Sequence, residues 1–407
     1  MSEVTPLTPP RLETLAWGAA LVMAALVLGL LGYQARDPDS RLYAEIAARM
    51  AAQPVSSWIA PTFPPGWYMT GLFREHPVGI HLLPALFARL GYPSLQAAFL
   101  ANALYQVLSL VLLQRLVATV AGGLESRALG WLIQLLPIAF TYRIRANQEQ
   151  AVLLCLILAL YGIERARRRW TWGFAVVVGL VALLLVKGVL VLMGFGACGL
   201  WLLVRHGGDQ STRTSSALGA LLAAALAVAA TAWVYEQMYR QATGQAFWSV
   251  YLTRQLGVAS VDQSAGGIVQ KAYNLLWYSY RVLWFPFPWS LTLAVAIWRA
   301  GRPSQGVGAS GSRAGAIFVL LLTAFYLAAF SLSDRRADRY IFPVYYAVGA
   351  AGAVAALGAW PRLHAFAVRL DRGHAWVPAA VWVVTFGLHL LGGGLGLPTV
   401  KIWAPDS

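Results

Sequence analysis

Long apolar runs alternate with short hydrophilic connectors along almost the whole chain. Because a helix needs about twenty apolar residues to cross a bilayer, and fewer where it stands upright, the runs predict about eleven membrane-spanning helices. In chain order they are residues 14–33, 95–120, 128–142, 151–163, 172–186, 189–204, 217–235, 272–298, 315–330, 340–357 and 376–395. The pattern predicts an all-α, polytopic membrane protein that forms one domain over residues 1–407.

Two connectors are longer than the others, residues 35–77 and residues 236–270. The apolar run 78–90 after the first connector is too short to span and is expected at the membrane interface or half-buried. Four apolar side chains of the first connector recur at helical spacing, which predicts an amphipathic helix lying on the membrane surface: Leu42, Tyr43, Ile46 and Met50.

The composition and the placement of charge agree with this membrane assignment. The chain is 59% hydrophobic and only 12% charged, whereas soluble domains are nearer a quarter charged. The net charge of +15 comes from arginines gathered in short connectors, chiefly 164–169, 299–313 and 362–372, as cytoplasmic connectors are by the positive-inside rule. Residues 1–13 are then cytoplasmic, the first span is a retained anchor, and both long connectors are extracytoplasmic. Without a soluble basic domain, a nucleic-acid partner is not expected.

The first long connector is unusually acidic. It holds four of the sixteen acidic residues of the chain: Asp37, Asp39, Glu45 and Glu75. Carboxylates beside a membrane-embedded bundle are costly to dehydrate, so they are either functional or well solvated. The connector contains the sequence Asp39-Ser-Arg-Leu-Tyr43-Ala-Glu-Ile and ends at Glu75-His76-Pro77.

Three further motifs follow on the same predicted side of the membrane. They are Lys187-Gly188, Pro286-Phe-Pro288-Trp289 and Arg339-Tyr340-Ile-Phe-Pro343. In this order, the five motifs resemble those of the C-type glycosyltransferases that use polyprenyl-phosphate sugars. The similarity is to the branch of the protein O-mannosyltransferases and lipid A aminoarabinose transferases, and in layout it covers most of the chain.

The resemblance implies a function. It implies transfer of a monosaccharide, with inversion, from a polyprenyl-phosphate carrier to a lipid, glycan or protein acceptor. The site would face the extracytoplasmic side of a membrane, expected to be a bacterial inner membrane. Apart from this lipid-linked donor, no cofactor is expected, no residues are assigned as metal ligands, and the sequence leaves metal dependence open.

The chemistry of such a transfer assigns roles to the carboxylates and cations. A carboxylate accepts the proton of the acceptor hydroxyl, and Asp39 has the family spacing to Tyr43. Glu75 is the second carboxylate, which would orient the acceptor or the donor sugar. Lys187, in an otherwise uncharged run, and Arg339, beside Tyr340, would stabilise the phosphate.

Each role has a plainer alternative. Asp39 could simply solvate the connector, and Glu75 could be an acid at a helix N-terminus with Pro77 in its first turn. His76 stands where the family often has lysine, so a phosphate contact and a structural role are equally open to it. Arg143 and Arg145 are further phosphate candidates. For both of them, as for Arg339, the plainer alternative is ordinary connector charge.

Other chemistries fit the sequence poorly. There is no glycine-rich nucleotide loop with a lysine, no metal-ligand spacing among the six histidines, and no nucleophile elbow. The competing hypotheses are a non-enzymatic flippase or transporter of lipid-linked sugars, and a structural membrane subunit. A transporter would favour charges at the membrane midplane and two pseudo-repeated halves, and the sequence shows neither.

Overall fold

The computed structural model describes residues 10–31, 37–67, 69–121, 123–205, 214–257, 265–300, 310–333, 336–371 and 376–395. Within those ranges the chain forms α-helices and no β-strand, which confirms the all-α class. In chain order the helices are α1 Pro10–Leu31, α2 Pro38–Ala51, α3 Gly79–Arg89, α4 Ser94–Val120, α5 Gly123–Leu132, α6 Pro137–Thr141, α7 Glu149–Ala166, α8 Gly173–Lys187, α9 Leu190–Arg205, α10 Thr214–Thr243, α11 Trp248–Gly257, α12 Ala265–Trp284, α13 Trp289–Ala300, α14 Ser310–Ser331, α15 Phe342–Ala359, α16 Pro361–Asp371 and α17 Val377–Leu395.

Six of the described helices are long and apolar enough to cross a membrane. The number is seven if a bent pair, Gly267–Trp284 with Trp289–Arg299, counts as one span, and α9 and α17 are apolar but shorter. The polytopic class is therefore confirmed, whereas the count of eleven is not. Most of the predicted cytoplasmic segment 1–13, and parts of the connectors 236–270, 299–313 and 362–372, lie outside the described residues.

Proline breaks two of the predicted spans. Residues 128–142 form α5, a 3-10 turn and α6 instead of one helix, and Leu136 is extended immediately before Pro137. Residues 272–298 form α12 and α13, which bend by 99° around Pro286 and Pro288. Each proline lacks the N–H that a continuous helix would need, so the direction of the chain changes there.

The core of the bundle depends on close packing between α7 and α8. A side chain on Gly179 would put its Cβ only 2.8 Å from the backbone nitrogen of Ala159 and the carbonyl oxygen of Cys155. Small residues at such crossings let membrane helices approach closely, which compensates for the weak hydrophobic drive inside a bilayer. The segments before α7 and after α8, where the charged residues lie, are thus held close together.

Helix α2 packs against protein and not only against the membrane surface. The four residues predicted to share its apolar face are all buried, so the amphipathic pattern is confirmed. They belong to a compact cluster that also contains Phe73, Phe247 and Tyr251. The prediction of a helix lying on the membrane surface omitted this second layer, formed by the connector itself and by α11.

The turn between α8 and α9 is tied to α11 through one tyrosine. The Tyr251 hydroxyl donates to the carbonyl oxygen of Lys187 and accepts from the backbone N–H of Val189, each over 3.0 Å. Between them Gly188 has φ +52° and ψ −108°, a conformation that side chains rarely adopt. The second long connector therefore fixes the end of α8.

We expect Gly188→Ala to weaken this turn. The new Cβ would lie 2.2 Å from the Tyr251 hydroxyl oxygen, and backbone strain at such φ values adds about 1–3 kcal/mol. The thermal unfolding midpoint, followed by tryptophan fluorescence, should fall. Gly219→Ala is the matched control, because nothing lies within 4 Å of the Cβ it would add to α10. Equal midpoints for the two variants would contradict the role given to Tyr251.

Candidate functional site

Asp37 and Asp39 both lie at the start of α2, but their side chains have different partners. The Asp37 carboxylate caps the helix by accepting from the backbone N–H of Ser40 at 3.2 Å, and it also accepts from the Ser40 hydroxyl. The Ser40 hydroxyl oxygen in turn accepts from the backbone N–H of Ala146 at 2.7 Å. Asp37 therefore fixes α2 and docks the segment before α7 onto it.

Asp39 forms an ion pair with Arg339, a residue that lies 300 positions later in the 3-10 turn just before α15. Their side chains are 34% and 35% exposed, so both groups can be reached by a ligand. An exposed pair of this kind contributes only about 0–1 kcal/mol to stability. A contribution to stability alone therefore does not explain why these two charged residues lie together.

Lys187 forms a second, deeply buried pair with Glu149. Lys187 Nζ lies 3.0 Å from Glu149 Oε1, and the side chains are 7% and 1% exposed. Lys187 is the last residue of α8 and Glu149 the first of α7, so both helix dipoles favour the charges present. The second carboxylate oxygen of Glu149, Oε2, is buried without a partner.

The two ion pairs are neighbours. Lys187 Nζ lies 6.0 Å from the ring centroid of Tyr340, the residue after Arg339. Arg339 and Lys187 each interact electrostatically with both Asp39 and Glu149. We call these two acids and two cations the charge quartet. It joins residues from four distant parts of the chain at one end of the bundle, the end that carries α2 and α3.

Tyr43 and His76 lie beside the quartet as neutral groups. The Tyr43 hydroxyl accepts from the Gln148 side-chain amide, and burial followed by nearby Asp39 raises the pKa of Tyr43 well above its usual value. The His76 ring lies 6.4 Å from the Tyr43 ring and is half-buried. Burial, followed by the charges of Lys187 and Arg339, lowers the pKa of His76 well below 6.5. His76 is thus a hydrogen-bonding group at neutral pH and not a third cation.

Glu75 lies half-buried at the edge of this region. Its backbone carbonyl accepts from the Gln255 side chain of α11 at 3.1 Å, and its charge acts on Tyr43. Helix α3 begins at Gly79, so Pro77 lies ahead of the first turn and does not start the helix. This weakens the plainer reading of Glu75 as a helix N-terminal acid.

The structure does not bring Arg143 into the quartet. Its guanidinium donates from Nη2 to the Gln134 carbonyl oxygen at 3.2 Å inside the bundle. Arg145 is half-buried, with its guanidinium carbon 4.8 Å from the Tyr142 ring centroid. The phosphate role expected for Arg145 remains a prediction. Arg143 lies inside the bundle, away from the charge quartet.

Glu149 was missed in the sequence. It lies in the polar run Asn147-Gln-Glu149-Gln in front of an apolar helix, which reads as a solvated connector. The available signal was Lys187 itself, because a lysine in an apolar run needs a carboxylate or another anion. Among the described residues, no three histidine, cysteine, aspartate or glutamate side chains cluster as a metal site.

His81, fully buried in α3 beside Tyr43 and Phe73, makes the stability depend on pH. Burial lowers the pKa of His81 to about 3, so between about pH 3 and 6.5 the unfolded chain binds the extra proton. The free energy of unfolding should then fall by about 1.4 kcal/mol per pH unit as the pH drops through this window.

Unfolding midpoints measured from pH 7 to pH 5 test this contribution. His81→Phe should give a flatter slope than wild type, whereas Gly219→Ala, which removes no titratable group, should retain the wild-type slope. An unchanged slope in His81→Phe would mean that other groups dominate the acid response.

The chain is similar to known proteins in sequence and in fold. Residues 75–235 match the sequence model of the dolichyl-phosphate-mannose-protein mannosyltransferases. Two crystal structures of ArnT from Cupriavidus metallidurans have the same fold. The one bound to undecaprenyl phosphate has 16% identity and a TM-score of 0.58, covering 95% of this chain and 79% of ArnT. The apo structure has 17% identity and a TM-score of 0.61, covering 95% and 78%. No protein of curated function matches the sequence.

These likenesses identify the fold. It is the fold of ArnT, that of a polytopic membrane protein, and the likeness extends over nearly the whole chain. The sequence match begins at Glu75 and includes Glu149 and Lys187. The resemblance to the O-mannosyltransferase and aminoarabinose transferase branch, which the motifs indicated, is confirmed.

Proposed function

We propose that this protein transfers a monosaccharide from a polyprenyl-phosphate carrier to an acceptor hydroxyl on the extracytoplasmic side of the membrane. The charge quartet is the observation that carries the proposal. It places one reachable carboxylate, Asp39, beside two cations, Arg339 and Lys187. Those are the groups that such a transfer needs, and they meet on the fold of the C-type glycosyltransferases.

The proposed reaction is a single displacement at the anomeric carbon. The acceptor oxygen forms the new glycosidic bond while the bond to the phosphate oxygen breaks, and the polyprenyl phosphate leaves with the bonding electrons. Asp39 takes the proton of the acceptor hydroxyl. Lys187 and Arg339 stabilise the negative charge that develops on the phosphate. Attack opposite the leaving group gives inversion at the anomeric carbon.

The Asp39–Arg339 pair supplies a way to couple donor binding to this chemistry. Both side chains are about a third exposed, so an incoming phosphate can compete with Asp39 for the guanidinium. Arginine binds phosphate oxygens through charge-assisted hydrogen bonds, as it binds a carboxylate. Once Arg339 turns to the phosphate, Asp39 is released to accept the proton.

The surrounding side chains complete the proposed site. Glu149 holds Lys187 in place, and its unpartnered oxygen Oε2 adds a hydrogen-bond acceptor. Glu75 would orient the acceptor or the donor sugar, with neutral His76 and Tyr43 as hydrogen-bonding neighbours. The Tyr340 ring lies beside Lys187 and stacks on Phe330, which holds it next to the quartet.

A polyprenyl-phosphate donor is supported by the ArnT structure bound to undecaprenyl phosphate. The quartet suits the phosphate of a polyprenyl carrier and does not select the sugar. Hexose and pentose donors, and lipid, glycan and protein acceptors, are therefore all to be included in the test. A bacterial inner membrane with the N-terminus in the cytoplasm is the proposed location.

Sugar transfer by the purified protein tests the proposal directly. Radiolabelled polyprenyl-phosphate monosaccharides would be supplied with membrane extract as the source of acceptors, and labelled products separated by class. Transfer from one donor, lost in Arg339→Gln, is the expected result. Failure with every donor, together with movement of the carrier across liposomes, would identify a flippase. Neither activity in a folded protein would favour a structural subunit.

A further inference from the structure

A small cavity with a mixed polar and apolar lining lies inside the bundle, separate from the charge quartet. It has a volume of about 10 Å³ and is bounded by α4, α7, α15 and the broken segment around α5 and α6. Its polar lining consists of Gln106, Ser109, Gln134, Arg143, Gln150 and Tyr346. No role in the proposed transfer accounts for this lining.

Arg143 is the residue that needs an explanation. It is 3% exposed, and its one hydrogen bond in the described residues is that from Nη2 to the Gln134 carbonyl oxygen. Its Nε is buried without a partner, and no described carboxylate lies within ion-pair distance. Burial lowers the pKa of Arg143 to about 10, which still leaves the guanidinium charged at neutral pH. A buried charge with no counter-charge is highly unfavourable.

The cavity offers more donors than acceptors around this charge. Ser109 Oγ is buried without a partner in the same cavity as Arg143 Nε, and Gln150 Nε2 has no partner at hydrogen-bond distance, although the Gln150 side chain interacts with Tyr346. Gln134 Oε1 is also buried without a partner, and as an acceptor it favours a water molecule over an anion. A positive charge with two further donor groups is nevertheless the environment of an anion.

We propose that Arg143, Ser109 and Gln150 bind a monovalent anion the size of chloride. A cavity of about 10 Å³ holds about one water molecule, and a halide ion is only slightly larger. A phosphate ester or a carboxylic acid would not fit. The anion supplies the counter-charge that the described chain does not provide.

The site would support the functional region without taking part in its chemistry. Arg143 begins the segment whose later residues dock on α2, Ala146 through Ser40 and Gln148 through Tyr43. Neutralising Arg143 inside the bundle fixes the start of that segment. The proposal does not depend on which reaction the quartet performs.

Unfolding of the detergent-solubilised full chain, in sodium chloride, bromide or gluconate at equal ionic strength, tests the proposal. Wild type should show a midpoint that rises with halide concentration and saturates, because a ligand of the folded state stabilises it. Gluconate is too large for the cavity and should give no such rise. Equal midpoints in all three salts would overturn the proposal.

Two variants test whether the halide-dependent rise of the unfolding midpoint arises at this cavity. Gln150→Glu places a carboxylate in the cavity, so it should abolish the halide response while the protein stays folded and stable in gluconate. Arg145→Gln removes a charge two residues from Arg143, outside the cavity, and should keep the response. A response that persists in Gln150→Glu would assign the binding to another site.

Bromide-soaked crystals of the wild type decide between an anion and water without any variant. Anomalous density between Arg143 Nε and Gln150 Nε2 is the expected result. A water there, with no anomalous signal at bromide concentrations that saturate the midpoint shift, would refute the site.

Discussion

Asp39→Asn should abolish sugar transfer while leaving the protein folded and able to bind its donor. General-base catalysis contributes about 10²–10⁴-fold to a rate, and kcat should fall by that order. The unfolding midpoint should barely move, because the Asp39–Arg339 pair is a third exposed and contributes little to stability. KM for the donor should not rise, since Arg339 loses its competing carboxylate and becomes free for the phosphate.

Asp37→Asn is the matched control for this experiment. It makes the same acid-to-amide change two residues earlier, at the cap of α2, where asparagine caps about as well as aspartate. Transfer should therefore survive. Retained activity in Asp39→Asn would move the base to another carboxylate, with Glu75 and Glu149 the next to replace. Loss of activity in both variants would indicate that they disturb α2 and not the chemistry.

Lys187→Met should lower the stability more than any other single change in the quartet. It leaves Glu149 charged, 1% exposed and without its partner, and breaking a buried pair in this way costs about 3–5 kcal/mol. The double variant Lys187→Met with Glu149→Gln removes both charges, so it should recover most of that loss. Unfolding midpoints of the two single variants and the double variant measure the coupling.

Transfer measured on the same variants separates the two roles of Lys187. If the lysine also stabilises the departing phosphate, the double variant should be folded yet inactive. An active double variant would mean that the lysine is needed only as a partner for Glu149. A double variant no more stable than Lys187→Met would contradict the ion pair itself.

Much of this site could be predicted because its residues lie in short motifs. Asp39, Lys187 and Arg339 were identified from neighbours in the sequence, and the structure brings all three together. The apolar face of α2 was predicted by periodicity, since helical spacing determines which side chains share a face.

Two features of the structure could not be predicted from the sequence, for physical reasons. Glu149 is recognisable only through its contact with Lys187, 38 positions away. Arg143 and Arg145 are near neighbours in one polar connector, yet one side chain enters the bundle and the other packs on Tyr142. The direction of a side chain in an irregular segment depends on tertiary packing, so composition gave both arginines the same interpretation.

The charge quartet is electroneutral, and this has a consequence for turnover. In the proposed reaction the donor is a phosphodiester with one negative charge, whereas the released carrier is a monoester that bears about 1.5 to 2 negative charges at pH 7. When Asp39 has taken the acceptor proton, the quartet is left with a net positive charge at the moment when the phosphate is most negative. The spent carrier is then held more tightly than the donor was. Only after Asp39 returns its proton to solvent can it compete again for Arg339 and expel the carrier. In the proposed cycle, the contact that opens to admit the donor must therefore close again to release the carrier.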